Sequence, residues 1–323
     1  MTSVVSVAAP LMLSVSGCRG IVGASLTPEV ICRFVGAMVA WLRDEQRVER
    51  PVVVLGCDGR RGGDILRRLA AAALGAAGCR VIDLGTAMTP TVGVMVVHHR
   101  AHAGLTLTAS HNPAQWNGLK VISGEGAAPD AANATRIIER FHAGVHAFAP
   151  SGMFGTIESD DSAAAVHVDR VIAALASMAD LGRIRARRFR VVVDSVNASG
   201  SAGVRLLCRA LGCELIHINC EATGDFPHTP EPTRENLAEF SAEVKQHRGD
   251  VGFAQDPDAD RLAALDESGR YIGEEYTLVL GALAMLGAPG AAGRQTLVAN
   301  LSTSRMLDDV AERFGARVRR SAV

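Results

Sequence analysis

No apolar run in the sequence reaches the ~18 residues that a membrane-spanning helix needs. There is no C-x-x-C pair. The seven cysteines are scattered, and an odd, unpatterned set reads as buried thiols in a reducing compartment, not as a disulfide framework. Charge of neither sign dominates. The formal net charge is −1, so no global field draws in nucleic acid or an anionic membrane. Aromatic residues are scarce at 4%, yet hydrophobic residues reach 48%, ample for packed cores. The opening stretch MTSVVSVAAPLMLSVSG has the look of a secretory leader. No Lys or Arg precedes it, however, and Pro10 breaks it, so it reads as a leading loop and strand. These absences leave a soluble, cytoplasmic protein as the expectation, with neither nucleic acid nor membrane as partner.

What is present is a repeated grammar. A β-branched strand, a polar turn, an amphipathic helix, a glycine and a second strand recur three times. The first copy runs Val52–Gly56, Asp58–Arg61, a helix near 64–76, Gly78 and Arg80–Leu84. The second runs Val191–Asp194, Asn197–Gly200, a helix near 201–211, Gly212 and Glu214–Ile218. The third runs Thr296–Asn300, Ser302–Ser304, a helix near 305–314, Gly315 and Arg317–Val318. Each glycine stands where a helix C-cap wants a left-handed residue, and each polar turn offers an N-cap side chain. These are βαβ units, spaced too widely and unevenly for a solenoid. A length of 323 residues gives a prior of about two domains and permits three smaller ones. The expected fold is α/β: tandem, similar three-layer α/β/α domains with mixed sheets, over residues 1–150, 151–265 and 266–323. The Gly/Pro-containing stretch 144–155 and the turn around Asp266–Gly269 are the expected linkers. The third unit has barely begun its second strand at Val323 and is expected to be incomplete.

Two stretches carry the chemistry. In Gly104–Ile122, the strand-like Leu105–Thr108 and Leu119–Ile122 frame Ala109, Ser110, His111, Asn112 and Pro113, then the turn dipeptide Asn117-Gly118. A hydroxyl, an imidazole, an amide and the Lys120 ammonium crowd one framed loop, as a nucleophile or phosphate-carrying residue would be presented. The second stretch is Asp256-Pro257-Asp258-Ala259-Asp260-Arg261, with carboxylates at every second position. Three hard oxygen donors facing one way converge on Mg²⁺ or Ca²⁺, where a solvated acidic turn is the plainer alternative. An EF-hand loop is rejected, because Arg261 stands where that loop needs glycine, and a strand, not a helix, leads in. A phosphatase with an aspartate nucleophile is a rival use of the same D-x-D.

Singly, each residue has an ordinary explanation. Ser110 bonds nearby backbone, His111 is a structural hydrogen-bonder, and Lys120 is a solvated edge charge. Together with a separate hard-metal loop they are the parts of a phosphoryl-transfer site. Asp58-Gly59-Arg60-Arg61 either steers a phosphate or pairs with nearby acids. Gly17-Cys18-Arg19-Gly20 sets an arginine between glycines, suited to anion clamping. His98, His99 and His102 read as a polar helix end, for want of matching ligands.

At this point the residues resemble the α-D-phosphohexomutase family (phosphoglucomutase, phosphomannomutase, phosphoglucosamine mutase), over essentially the whole chain. Thr108–Pro113 resembles the family's phosphoserine loop, Asp256–Arg261 its metal loop, and Ser16–Gly23 its N-terminal arginine loop, with Cys18 where Ile or Leu is usual. Asp58-Gly59-Arg60, Met88–Thr91, Asn117–Lys120 and Phe226–Pro232 fit as well. The resemblance implies four domains around a cleft, carrying in turn the serine, the metal loop, a sugar-recognition loop and a phosphate-binding loop. It implies an isomerase of the mutase type that interconverts hexose 1-phosphate and 6-phosphate. Ser110 would be the phosphoserine, Asp256, Asp258 and Asp260 would hold Mg²⁺ together with the serine phosphate, and hexose 1,6-bisphosphate would be the activator. His111 and Lys120 would do acid/base work. Arg19 and Arg261 would clamp phosphoryl oxygens, with Arg60 and Asn117 also among the phosphate contacts. The partner is then a small phosphosugar, in a monomer or homodimer. The turn Asn300–Arg305 and the Asp-Pro-Asp-Ala-Asp wording lean toward phosphoglucosamine or phosphomannose. The alternative is a truncated or non-catalytic module that binds phosphosugar and metal.

Overall fold

Runs of Val, Ile and Leu between glycine-containing turns become strands in the computed structural model, which describes residues 10–145, 147–288 and 295–321. The segment 1–9 of the expected leading loop lies outside the described residues. The first sheet gathers β1 (Met12–Ser14), β2 (Gly17–Ile21), β3 (Val52–Cys57), β4 (Arg80–Thr86), β5 (Ala103–Leu107), β6 (Trp116–Ser123) and β7 (Ile157–Ser159). Its order is β1-β2-β6-β5-β3-β4-β7. The core β3, β4 and β5 are parallel, and β6 runs antiparallel to β5. On one face lie α1 (Pro28–Asp44), α2 (Gly63–Ala76) and α4 (Ala131–Ala143), burying Phe34, Leu42, Leu74, Ile137 and Phe141 against Leu105 and Leu107. On the other lie α3 (Thr89–His98) and the start of α5 (Ala163–Ala176), over Val54 and Ile82. β7 joins this sheet although it follows residue 150.

The second sheet holds β8 (Arg190–Asp194), β9 (Glu214–Ile218), β10 (Val251–Gln255) and β11 (Leu262–Leu265), in the order β11-β10-β8-β9. The short α6 (Leu181–Arg187) leads in, α7 (Gly200–Ala210) connects β8 to β9, and α8 (Ala238–Gln246) connects β9 to β10. Phe240 and Val244 of α8 pack on Val192, Ala254 and Leu265. The four-strand order β4-β3-β5-β6 of the first unit is repeated as β9-β8-β10-β11, with the last pair antiparallel in both. Residues 266–321 contribute α9 (Glu274–Leu286), β12 (Thr296–Asn300), α10 (Met306–Arg313) and β13 (Arg317–Ser321). β12 and β13 are parallel over a core of Val279, Leu286, Leu307 and Val310. The architecture is the expected α/β class with mixed sheets. Among the described residues no helix is long and apolar enough to cross a membrane.

Three local expectations are corrected. Gly78, Gly212 and Gly315 take the left-handed conformation, and Ser304 Oγ accepts the N–H of Met306 at the start of α10 at 3.3 Å, but the polar turns before α2 and α7 supply no side-chain cap. Their side chains are committed elsewhere: Asp58 to Arg60 and Thr108, and Ser199 to the Pro257 carbonyl. Second, Asn117-Gly118 is not a turn but the interior of β6. The chain reverses one step earlier, where the Trp116 N–H donates to the Pro113 carbonyl. Third, the arginine segment is not a loop, because Gly17–Ile21 is strand β2, paired antiparallel with β6. Glycine at 118 serves that pairing, since a methyl group there would overlap the Cys18 carbonyl oxygen. Gly118→Ala is therefore expected to lower stability by about 1–3 kcal/mol through overpacking. Thermal unfolding beside Gly281→Ala in the helix that follows the second sheet, where the added methyl meets nothing, checks this.

Candidate active site

Ser110 follows β5 in the left-handed region, at φ 51°, a strained setting for a residue with a side chain. Its neighbours over-determine that conformation. The Ser110 N–H donates to Thr108 Oγ1 at 2.8 Å, and its carbonyl accepts from Arg60 Nη2 at 2.7 Å. Thr108 Oγ1 in turn donates to Asp58 Oδ2 at 2.7 Å. Asp58 accepts the Arg60 Nε–H at 2.9 Å and the Arg60 backbone N–H at 3.1 Å. Arg60 Nη1 donates to the Trp116 carbonyl at 2.6 Å and reaches the Pro113 carbonyl at 3.3 Å. One buried ion pair thus fastens both ends of the serine loop.

The metal loop occupies the corresponding place in the second unit. Ser110 lies between β5 and β6, and Asp256–Asp260 lies between β10 and β11, the third and fourth strands of the repeated order. Both loops leave the carboxyl ends of parallel strands, where α/β sheets place their ligand sites. The two meet at one bond, Ser110 Oγ donating to Asp256 Oδ2 at 2.8 Å across 146 positions of sequence. One carboxylate oxygen from each of Asp256, Asp258 and Asp260 lies within 4.8 Å of the others. Asp258 Oδ2 accepts from Thr89 Oγ1 at 2.7 Å and Lys120 Nζ at 3.1 Å. Asp258 Oδ1 is buried with no hydrogen-bond partner, as a cation-ligating oxygen would be left. Three hard oxygen donors suit Mg²⁺.

The electrostatics reflect this crowding. Burial, then the Asp258 and Asp260 carboxylates beside it, push Asp256 up to about 8. Burial works the same way on Asp258, but Lys120 and the Thr89 hydroxyl outweigh it and hold that carboxyl below its usual range. Burial favours a neutral Lys120; Asp258 and Asp260 more than offset it, so the ammonium stands above the ordinary lysine value. Its Nζ lies 2.6 Å from Asp260 Oδ2. His111, whose Nδ1 is 3.3 Å from Ser110 Oγ, is drawn down by burial and then by the Arg261 and Arg19 charges. It is therefore available as a neutral base.

Ser110, His111, Lys120, Asp256, Asp258 and Asp260 are thus brought together. Arg19 is half-buried on β2, directly paired with Gly118 of β6, and its charge is felt by His111. Arg261 is 3.6 Å from Glu231, with both side chains substantially exposed. Two expected phosphate contacts do not lie open to a ligand. Arg60 is 2% exposed, and its guanidinium is spent on Asp58 and loop carbonyls. Asn117 is wholly buried within β6, its Oδ1 accepting from the Gly118 N–H. Spacing does not reveal this, because burial comes from segments distant in sequence. Thr89 and Thr108 touch the site and were not picked out for a role. Thr89 stands beside Pro90 at the start of α3, which marks a helix start and says nothing of Asp258. Two of the three histidines serve the fold, His99 Nε2 lying 2.8 Å from Asp160 Oδ2 and His102 Nδ1 accepting the Val52 N–H at 3.0 Å, while His98 is exposed with its ring edge-on to that of His99.

Residues 12–147 match the family model of phosphoglucomutase/phosphomannomutase alpha/beta/alpha domain I, and residues 167–269 match that of domain II. The chain belongs to the α-D-phosphohexomutase family. It is 37% identical over 308 residues to a phosphoglucomutase/phosphomannomutase of Thermococcus kodakarensis, covering 95% of this chain and 66% of the relative. It is 33% identical over 309 residues to a protein of Methanopyrus kandleri named a probable phosphoglucosamine mutase, covering 95% and 65%. A crystal structure of a phosphoglucomutase/phosphomannomutase family protein from Burkholderia thailandensis superposes with a TM-score of 0.80 at 26% identity, over 97% of this chain and 67% of that one. The chain therefore spans just under two thirds of the length of the curated relatives named here. The phosphohexomutase domains I and II include the serine loop and the acidic triad, respectively.

Proposed function

We propose that this chain carries the phosphoryl-transfer half of a phosphohexose mutase, an isomerase that interconverts hexose 1-phosphate and 6-phosphate. The observation that carries the reading is the bond between Ser110 Oγ and Asp256 Oδ2, which joins a strained serine to an acidic triad across two domains. Residues 1–150, completed by β7, form the serine domain, 151–265 the metal domain, and 266–323 open a third.

In the resting enzyme Ser110 carries the phosphoryl group. A hydroxyl oxygen of the hexose monophosphate attacks phosphorus, the bond to Ser110 Oγ breaks, and a hexose 1,6-bisphosphate results. The hydroxyl proton passes to His111, and Ser110 Oγ leaves as an alkoxide that His111 then protonates, while Lys120, held as an ammonium by Asp258 and Asp260, can act only as a proton donor. After the bisphosphate turns over, its other phosphate returns to Ser110, and the isomer departs. Arg19 and Arg261 hold phosphoryl oxygens through their planar donor forks. Asp256, Asp258 and Asp260 would hold Mg²⁺, which neutralises charge on the transferring group when bound. The likeness to phosphomannomutase and phosphoglucosamine mutase relatives supports mannose or glucosamine phosphate as substrate.

The test is a half-reaction. Protein incubated with labelled glucose 1,6-bisphosphate and Mg²⁺ should take up phosphate on Ser110, read by intact mass and peptide mapping. A coupled assay of hexose 1-phosphate to 6-phosphate then reports turnover. Asp258→Asn is expected to lower both by about 10²-fold or more, the usual scale for losing transition-state charge stabilisation. Steady release of inorganic phosphate without isomer would instead favour an aspartate-based phosphatase. Labelling that survives chelation unchanged would remove the metal from the mechanism.

A further inference from the structure

Metal loops depend on what aims their ligands. In Asp256–Asp260 two hydroxyls from helix starts do this, one from each domain. Ser199, at the N-cap of α7, gives up capping its own helix, and its Oγ donates to the Pro257 carbonyl at 2.7 Å. Thr89, the first residue of α3, reaches over from the serine domain. Its Oγ1 donates to Asp258 Oδ2 at 2.7 Å, and its backbone N–H donates to the Asp258 carbonyl at 3.0 Å. The two contacts clamp Asp258 at both its main chain and its side chain, 169 positions away in sequence. With Oδ2 occupied by Thr89 and Lys120, the carboxylate plane is set, and the buried Oδ1 is the oxygen left unpartnered.

We propose that Thr89 is a positioning residue for the metal site, orienting Asp258 so that Oδ1 faces the cation. The inference rests on the metal reading given above and extends it. Cation affinity in the second domain is set in part by a residue of the first. The positive end of α3, whose first N–H groups lack intrahelical partners, is turned toward the same carboxylate-rich loop and reinforces the arrangement.

The experiment reads metal binding directly, without turnover, by titrating the purified protein with Mn²⁺ alone and following the free ion by electron paramagnetic resonance. Thr89→Val keeps the side-chain shape and removes the hydroxyl. It should weaken Mn²⁺ binding by about 10-fold or more, the scale on which outer partners of metal ligands act. Thr89→Ser, which restores the hydroxyl, should bring affinity back toward the parent value. Thr91→Val makes the same chemical change two residues along α3, where the hydroxyl pairs with His167 Nδ1 at 2.8 Å and not with the loop. It should leave affinity unchanged. If Thr89→Val does not fold, Thr89→Ala enters the same comparison. Parent-like Mn²⁺ binding in Thr89→Val, or an equal loss in Thr91→Val, overturns the assignment. Asp258→Asn separates the two levels. If it loses Mn²⁺ while Thr89→Val does not, only the positioning role falls. If it binds as the parent does, the metal site falls and the role with it.

Discussion

Ser110→Ala protein is expected to take up no phosphate from labelled hexose 1,6-bisphosphate, and its mutase turnover should fall by on the order of 10⁴-fold or more, as when other enzymes lose their nucleophile. The expectation rests on the absence of a substitute in the loop. The Thr108 hydroxyl is 1% exposed and committed to Asp58. His111 Nδ1 faces the position that Ser110 Oγ vacates, but a base without its nucleophile has nothing to activate. The substitution should spare the fold. The bonds that hold residue 110 at φ 51° are made by its backbone, to Thr108 Oγ1 and from Arg60 Nη2, and alanine keeps both. Parent-like thermal unfolding with no labelling would therefore assign the loss to chemistry. Normal labelling and turnover in Ser110→Ala would end the nucleophile assignment.

Arg60→Met should be the most destabilising of these substitutions, costing about 3–5 kcal/mol, because it strands a buried charge. Asp58 is fully buried and would lose the guanidinium beside it, while the carbonyls of Ser110 and Trp116 would lose their donor. Methionine fills most of the volume, so the cost is electrostatic and not a cavity. The neighbouring Arg61→Met is the comparison. Arg61 pairs with Asp225 at 2.5 Å, with side chains 75% and 56% exposed, and such a pair contributes at most about 1 kcal/mol. Urea unfolding of the two variants should separate them clearly. Adding Asp58→Asn to Arg60→Met should recover part of the loss, because the orphaned charge goes with it. Arg60→Met should also block labelling of Ser110 at temperatures where it is folded, since the clamp on the loop is gone. Equal midpoints for Arg60→Met and Arg61→Met would refute the clamp.

These two adjacent arginines show where sequence reading stops. Both belong to one polar turn, and the turn alone leaves phosphate steering and acid pairing equally open. The structure buries one and exposes the other, because the serine loop, the residues around Trp116 and the Phe226 ring close over Arg60, while Asp225 meets Arg61 at the surface. Asn117-Gly118 shows the same limit. As a dipeptide it signals a turn, but β2 pairs alongside it, and close approach by the Cys18 carbonyl requires the glycine inside a strand. Thr89 carried a helix-start signal, and nothing near it in sequence says that its hydroxyl belongs to Asp258.

By itself the sequence determined the βαβ periodicity, the α/β class, the alternating carboxylates of Asp256–Asp260 and the framed hydroxyl at Ser110. All of these depend on short-range geometry: side-chain alternation along a strand, backbone preferences at turns, and repulsion between close carboxylates. Tertiary structure alone decided which charge is buried, which hydroxyl caps a helix and which holds Asp258, and that Ser110 meets Asp256. Those outcomes depend on desolvation and on hydrogen bonds between segments some 50 to 170 positions apart. Pairing of β3 with β5 inside the first sheet brings Arg60 to Ser110, and only the packing of the two units brings Ser110 to Asp256 and Thr89 to Asp258.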